Sequence, residues 1–123
     1  MVRTQKQKIG KLGENISCKF LLKQNYKIKG QNYRKKWGEI DIIAEKDNIL
    51  HFIEVKTVSH ETGYKPEENI HLWKKKRLSR AIQTYLLENP DYEEQEWQID
   101  TMAVFLDFKT KKAKIRMIKN VIL

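Results

Sequence analysis

The chain has 123 residues, 40% apolar and 33% charged, with a formal net charge of +9. That length suits one modest core over 1–123, and the composition lies outside the range of disordered chains. The charge predicts a polyanionic partner, nucleic acid first and an anionic membrane surface second.

No run approaches the roughly 18 apolar residues of a transmembrane helix, so no membrane association through a span is expected. The lysine-rich start is followed by no apolar stretch, so a secretory signal is not expected either. Cys18 is the one cysteine and has no partner for an intrachain disulfide, which predicts a reducing, cytoplasmic location. It lies among apolar neighbours on a helical pattern and reads as a buried spacer.

Ile9, Leu12, Ile16, Phe20 and Leu21 recur at three- and four-residue steps, which predicts an amphipathic helix from Ile9 to Leu22. Glu14 shares a side with Cys18 and Leu21 and borders its apolar stripe. After Asn25, Tyr26 to Lys36 reads as a first strand. Gly38 opens a second strand through Ala44, Lys46-Asp47-Asn48 supplies a turn, and Ile49 to Lys56 is a third strand. The third run is apolar on both faces, as in the centre of a covered sheet. Ser59 to Lys65 is a polar loop containing Gly63. Pro66, Glu67 and Glu68 suit a helix start, and the period from Ile70 to Leu86 holds until Asn89-Pro90. After an acidic loop from Glu93 to Glu96, Trp97 to Phe108 and Ala113 to Val121 read as two strands around a basic turn. The order αβββαββ predicts a mixed α/β fold with a central mixed five-stranded sheet flanked by helices.

The chemistry concentrates in the hairpin. Glu39, Asp41, Glu54 and Lys56 are charged residues in the most apolar stretch of a polar chain, where ionised groups cost several kcal/mol unless paired or metal-bound. With Asp47-Asn48 at the centre of a tight turn, Lys46 faces Ile49, Asp41 faces Glu54 and Glu39 faces Lys56. Facing residues project from one side with Cβ atoms about 5 Å apart. Two opposed carboxylates repel, and a divalent cation relieves that repulsion. Oxygen ligands without convergent His or Cys favour Mg²⁺ or Mn²⁺ over zinc. Lys56 then suits orienting a water or stabilising developing negative charge, which on a basic protein points to phosphodiester hydrolysis. The competing reading is an ion-pair ladder on an edge strand, and the apolar flanks argue for a central strand instead.

Asp41, a twelve-residue spacer and Glu54-Val55-Lys56 resemble the PD-(D/E)XK nuclease signature, with Ile40 where proline is frequent. The strand pair after a helix carrying Glu14 resembles the archaeal Holliday-junction resolvases. Over nearly the whole chain, Gly13-Glu14, Asn32-Tyr33-Arg34, Gly38 to Ala44, Phe52 to Thr57, Lys74 to Leu78 with Ala81, and Ile99-Asp100 resemble the bacterial YraN family, which is related to those resolvases. The resemblance implies a restriction-endonuclease-like fold and a metal-dependent endonuclease acting on structured or branched DNA, with a homodimer to cut two strands. It implies that Asp41, Glu54 and the Val55 carbonyl hold the metal, that Lys56 is the catalytic lysine, and that Glu14 reaches the site from the first helix. Glu39 is a further candidate, pairing Lys56 or binding a second metal. The family's common arginine after Glu-Val-Lys-Thr is Val58 here. Two alternatives stay open: a non-catalytic nucleic-acid-binding module of repair or recombination, and a nuclease acting on RNA or single strands.

Arg34, Lys74, Lys75 and Arg77 are candidate phosphate contacts, which position nucleic acid without reading sequence. Trp37 suits stacking on a base, a core position or a dimer contact. Asp100 alternates with Met102 and Val104 on an apolar strand and is expected to anchor a basic residue. His51, His60 and His71 lack metal-ligand spacing; His51 is expected in the core or on the sheet face.

Overall fold

Thr4 starts the first helix. Its hydroxyl accepts from the Gln7 N–H while the Gln7 side chain accepts from the Thr4 N–H, so two of the donors orphaned at a helix start are satisfied reciprocally. Helix α1 (Gln5–Lys23) thus begins a turn before its apolar stripe and ends at Asn25, which takes the left-handed conformation at φ 68°. The structure, a computed structural model, describes residues 3–59 and 72–121, with α2 side chains from 75 onward.

Five strands follow: β1 (Lys27–Lys35), β2 (Gly38–Lys46), β3 (Ile49–Ser59), β4 (Glu96–Asp107) and β5 (Lys112–Ile118), with helix α2 (Leu72–Glu88) between β3 and β4. They form one sheet in the order β1-β2-β3-β4-β5. Pairing is antiparallel except between β3 and β4, which are parallel and need the α2 crossover. The sheet is therefore mixed, the element order is αβββαββ, and the architecture is that of the restriction-endonuclease-like fold.

The β2–β3 turn behaves as its sequence requires. Asp47 and Asn48 adopt φ of 52° and 62°, the left-handed pair of a tight hairpin. The register is the expected one from Lys46↔Ile49 to Ile42↔Ile53.

One apolar layer lies under α1, where Ile9, Cys18, Leu21, Ile42, Ala44, Ile53, Met102 and Val104 pack together. The other lies under α2, where Ile40, Ile43, Leu50, Phe52, Leu78, Ala81 and Ile82 meet. β3 contributes to both, as a central strand must. Two glycines set the distances between layers. A Cβ on Gly13 would overlap Thr57 Oγ1, so α1 lies directly on β3 there; a Cβ on Gly38 would overlap the Arg77 carbonyl, so β2 lies directly under α2.

Some boundaries differ from expectation. β5 ends at Ile118, because Asn120 turns at φ 57° and Val121 N–H donates to Ile99 O at 2.8 Å. A 3₁₀ turn at Pro90–Tyr92 precedes the acidic loop. The loop from 60 to 65, the helix start around Pro66, His60, His71 and the side chain of Lys74 lie outside the described residues. Among the described residues no helix is long and apolar enough to cross a membrane.

Candidate active site

The hairpin register does not continue to the carboxylates. Antiparallel pairing of β2 with β3 stops at Ile42↔Ile53. From there β3 continues alongside β4, with Glu54↔Thr101 and Lys56↔Ala103, while β2 stays with β1 through Tyr33↔Ile40 and Arg34↔Glu39. The strands part, and the expected facing pairs Asp41 with Glu54 and Glu39 with Lys56 do not form in the ladder. The β1–β2 pairing also passes over Asp41, from Gln31↔Ile42 to Tyr33↔Ile40, where Asn32 takes φ 51°. β2 is kinked there: Ile40 and Ile43 both pack under α2, whereas Ile42 and Ala44 pack under α1.

Asp41 occupies the opening. Its Oδ2 accepts from Val55 N–H at 2.8 Å, so a side chain takes the place of the backbone acceptor that a continued ladder would have offered. The parting strands leave a cleft of about 190 Å³ lined by Glu39, Asp41, Glu54, Val55, Lys56, Arg77 and Leu78.

Lys56 is buried, and its Nζ lies 2.8 Å from Glu54 Oε1, two residues away on the same side of β3. That pairing replaces the expected one with Glu39. Glu39 is exposed and pairs across the β1–β2 ladder with Arg34, at 3.7 Å. Arg34 is therefore held at the cleft edge, its Nη2 also donating to Asn32 Oδ1 at 3.4 Å.

The electrostatics converge on Asp41. Burial, then the carboxylates of Glu14, Glu54 and Glu39, push its carboxyl up to about 7 against the lowering effect of the Val55 N–H. Glu14 is itself raised by burial and by Glu39, with Lys11 and Arg34 opposing. Glu14 thus belongs to this electrostatic group from α1, although it does not line the cleft. Of the expected phosphate contacts, Arg77 lines the cleft, Lys75 is partly exposed on α2 outside it, and Arg34 stands at the rim.

Whether these residues suit a divalent cation turns on their donors. Among the described residues no three His, Cys, Asp or Glu side chains converge as a ligand set. Mg²⁺ needs fewer: it is commonly held by one or two carboxylates, with waters and substrate oxygens completing its shell. Asp41 and Glu54 are hard oxygen donors crowded by like charge, with the Val55 carbonyl on the strand between Glu54 and Lys56. That donor chemistry fits the ion.

The other singled-out residues serve the scaffold. Asp100 is fully buried; Oδ2 lies 2.6 Å from His51 Nδ1, and Oδ1 accepts from Gln98 Nε2 at 2.8 Å and Asn120 N–H at 2.9 Å. It anchors a basic residue, as its place on an apolar strand predicts, and ties the end of the chain to the sheet. Cys18 is buried in the α1 layer. Trp37 is neither core nor hidden: it stays 45% exposed and donates to Thr84 on α2.

Fold and cleft together define a small restriction-endonuclease-like α/β protein whose buried lysine and crowded carboxylates gather where two sheet strands diverge. Residues 13–104 match the family model described as "Uncharacterised protein family UPF0102". A UPF0102 protein of Caldicellulosiruptor bescii is 31% identical over 93% of this chain and 96% of its own length. One from Campylobacter jejuni is 42% identical over 77% of this chain and 81% of its own, and one from Campylobacter hominis 38% over 93% of each. The chain belongs to the UPF0102 family, also called the YraN family.

Proposed function

We propose that this protein is a metal-dependent endonuclease that hydrolyses phosphodiester bonds in structured or branched DNA. The observation that carries the reading is the buried Lys56 beside Glu54 and a desolvated Asp41 in one open cleft. Burial of Lys56 and the like-charged carboxylates crowded around Asp41 each oppose stability, and such arrangements concentrate at catalytic sites. The +9 charge supports a polyanionic substrate.

A divalent cation, Mg²⁺ or Mn²⁺, held by Asp41, Glu54 and the Val55 carbonyl would supply acidification of water and neutralisation of phosphoryl charge. Lys56 Nζ then orients the attacking water and offsets negative charge as the phosphorus becomes five-coordinate. Glu54, already at 2.8 Å, fixes the Lys56 ammonium in the cleft rather than leaving it to sample solvent. Glu14 adds negative potential from α1, which strengthens the demand for a cation. Arg77 on the cleft wall and Arg34 at the rim hold flanking phosphates. A homodimer would bring two such sites to the two strands of a junction.

The test is cleavage of four-way junction, flap, duplex, single-strand and RNA substrates with Mg²⁺ or Mn²⁺. Asp41→Ala and Lys56→Ala should each lower the rate about 100-fold or more. Activity equal to wild type in both variants removes the proposed site. Binding without cleavage under all conditions favours the non-catalytic module, and cleavage confined to RNA or single strands redirects the substrate.

A further inference from the structure

Trp37 is a prominent feature of the cleft surroundings that carboxylate chemistry does not use. It is the second residue of the two-residue turn closed by the Lys35↔Gly38 pair, and the chain runs from it through Gly38 into cleft-lining Glu39. The residue stays 45% exposed, yet its indole nitrogen is tethered. The indole Nε1–H donates to Thr84 Oγ1 at 2.9 Å, and the Thr84 hydroxyl donates to Arg80 O at 2.9 Å. With that proton committed to the carbonyl, a lone pair on Thr84 faces the indole, so the bond has one direction.

The turn beneath is fixed as well, because Gly38 seats it against the Arg77 carbonyl and Ala81. Positions 77, 81 and 84 form one stripe of α2, and Thr84 lies about 10 Å further along the axis than Arg77. The indole is therefore tethered along the same helix face that walls the cleft. Lys36 beside it in the turn, Arg34 on β1 just before the turn, ion-paired with Glu39, and Arg80, one helical turn before Thr84 on α2, are exposed cations.

A tryptophan whose polar edge is satisfied by its own protein presents only its π-face and ring carbons to an incoming partner. A surrounding set of cations disfavours a basic or apolar protein surface there and favours a polyanion with flat aromatic groups. We propose that Trp37 is a stacking platform for one unpaired nucleobase at the rim of the cleft. This rests on the nucleic-acid reading above and sharpens its substrate: DNA with an unstacked base near the scissile phosphate, such as an overhang, flap or junction arm, over blunt duplex. Because the indole is already tethered, stacking forfeits little side-chain freedom.

The full-length protein is titrated in EDTA, where cleavage does not intervene, against a labelled blunt duplex and the same duplex extended by an overhang carrying 2-aminopurine. Trp37→Ala should bind the overhang substrate about tenfold more weakly and change duplex binding by less than about twofold. The 2-aminopurine emission change seen with wild type should vanish with Trp37→Ala and persist with Trp37→Tyr, which keeps an aromatic face. Melting curves confirm that both variants fold. Unchanged overhang affinity in Trp37→Ala, or equal loss on both substrates, overturns the platform. Wild-type protein that binds neither oligonucleotide at low salt overturns it together with the nucleic-acid reading. Trp37-dependent binding without Mg²⁺-dependent cleavage sustains the platform and removes only the hydrolase.

Discussion

Replacing Asp41 with asparagine should make this protein more stable at neutral pH, although the substitution removes a charge that accepts a hydrogen bond. Asparagine keeps the shape of the side chain and an oxygen to accept from Val55 N–H, now at 2.8 Å from Asp41 Oδ2. It removes the electrostatic conflict: burial and the carboxylates of Glu14, Glu54 and Glu39 push Asp41 from its ordinary 3.8 up to about 7. A carboxyl whose folded pKa lies above its unfolded value holds its proton more tightly when folded. Its stabilising contribution is therefore complete below the unfolded value, declines as pH rises, and is lost above about 7. At about 1.4 kcal/mol per pH unit that rise corresponds to about 4 kcal/mol. Solvent at the open side of the cleft screens the charge and lowers the expectation to about 2–4 kcal/mol, on the order of 10 °C in Tm for a domain of this size. Thermal and urea melts of wild type and Asp41→Asn in EDTA, from pH 5 to pH 8.5, measure it. The wild type should lose stability towards alkaline pH, the variant should follow a flatter curve, and the gap should be widest near pH 8. Mg²⁺ added at pH 8 should raise the wild-type Tm and leave the variant unmoved. A variant that melts below wild type at pH 8 without divalent ions, or a gap independent of pH, refutes the reasoning.

The scaffold carries two further predictions. Asp100→Ala strands His51, Gln98 and the Asn120 N–H at once, and should lower stability by about 3–5 kcal/mol by urea denaturation. Burial opposes ionisation of Asp100, but His51, the Asn120 N–H and Gln98 together hold its carboxyl below the usual range. The contribution of Asp100 is therefore present above the ordinary carboxylate pKa, and the gap between wild type and variant should narrow only in strong acid, which an acid titration by circular dichroism checks. Gly13→Ala should destabilise by about 1–3 kcal/mol and be partly rescued by Thr57→Ala, because its obstacle is a side chain. Gly38→Ala meets the Arg77 carbonyl on the helix backbone, so it should cost more, and no truncation in α2 should restore its Tm.

What the sequence made legible follows local rules. Asp47-Asn48 is a pair suited to left-handed backbone, so the turn, the register next to it and the run from Ile42 to Ile53 could all be read in advance. The buried stripe of α2 follows its periodicity through Leu78, Ala81, Ile82 and Tyr85; in α1 Ile9 and Leu21 are buried as expected, but Leu12 is exposed and the small residues Gly13, Ser17 and Cys18 take the face against the sheet. Of the candidate residues, Glu39, Asp41, Glu54, Val55, Lys56 and Arg77 do line one cleft, whereas Glu14 and Lys75 do not, and the geometry of the cleft was not legible. Extending the register to Asp41 assumed that β2 and β3 stay paired. Each instead follows a different neighbour, Arg34↔Glu39 on one side and Lys56↔Ala103 on the other, and those long-range pairings leave no mark in the hairpin's own residues. The partner of Glu39 was misplaced by the same assumption: Arg34 across β1 takes it, while Lys56 turns to Glu54 on its own strand. The one local sign of the break was Asn32, a residue tolerant of the φ of 51° it adopts opposite the kink.

That break gives Asp41 two roles. Where the strands part, Val55 N–H loses a β2 backbone acceptor, and an unsatisfied donor there would cost about 1–3 kcal/mol. Asp41 supplies the acceptor from its side chain, so the carboxyl proposed as a cation ligand also closes the hydrogen-bond ladder at the point of divergence. Asp41→Ala removes both functions at once, and inactivity in that variant alone would not separate a lost ligand from a collapsed opening. Asp41→Asn separates them, because it preserves the bond to Val55 and removes the charge. If the carboxylate is the chemical requirement, Asp41→Asn should bind DNA as wild type does, melt higher than wild type in EDTA at pH 8, and cleave nothing. If the opening alone mattered, the asparagine variant would retain cleavage.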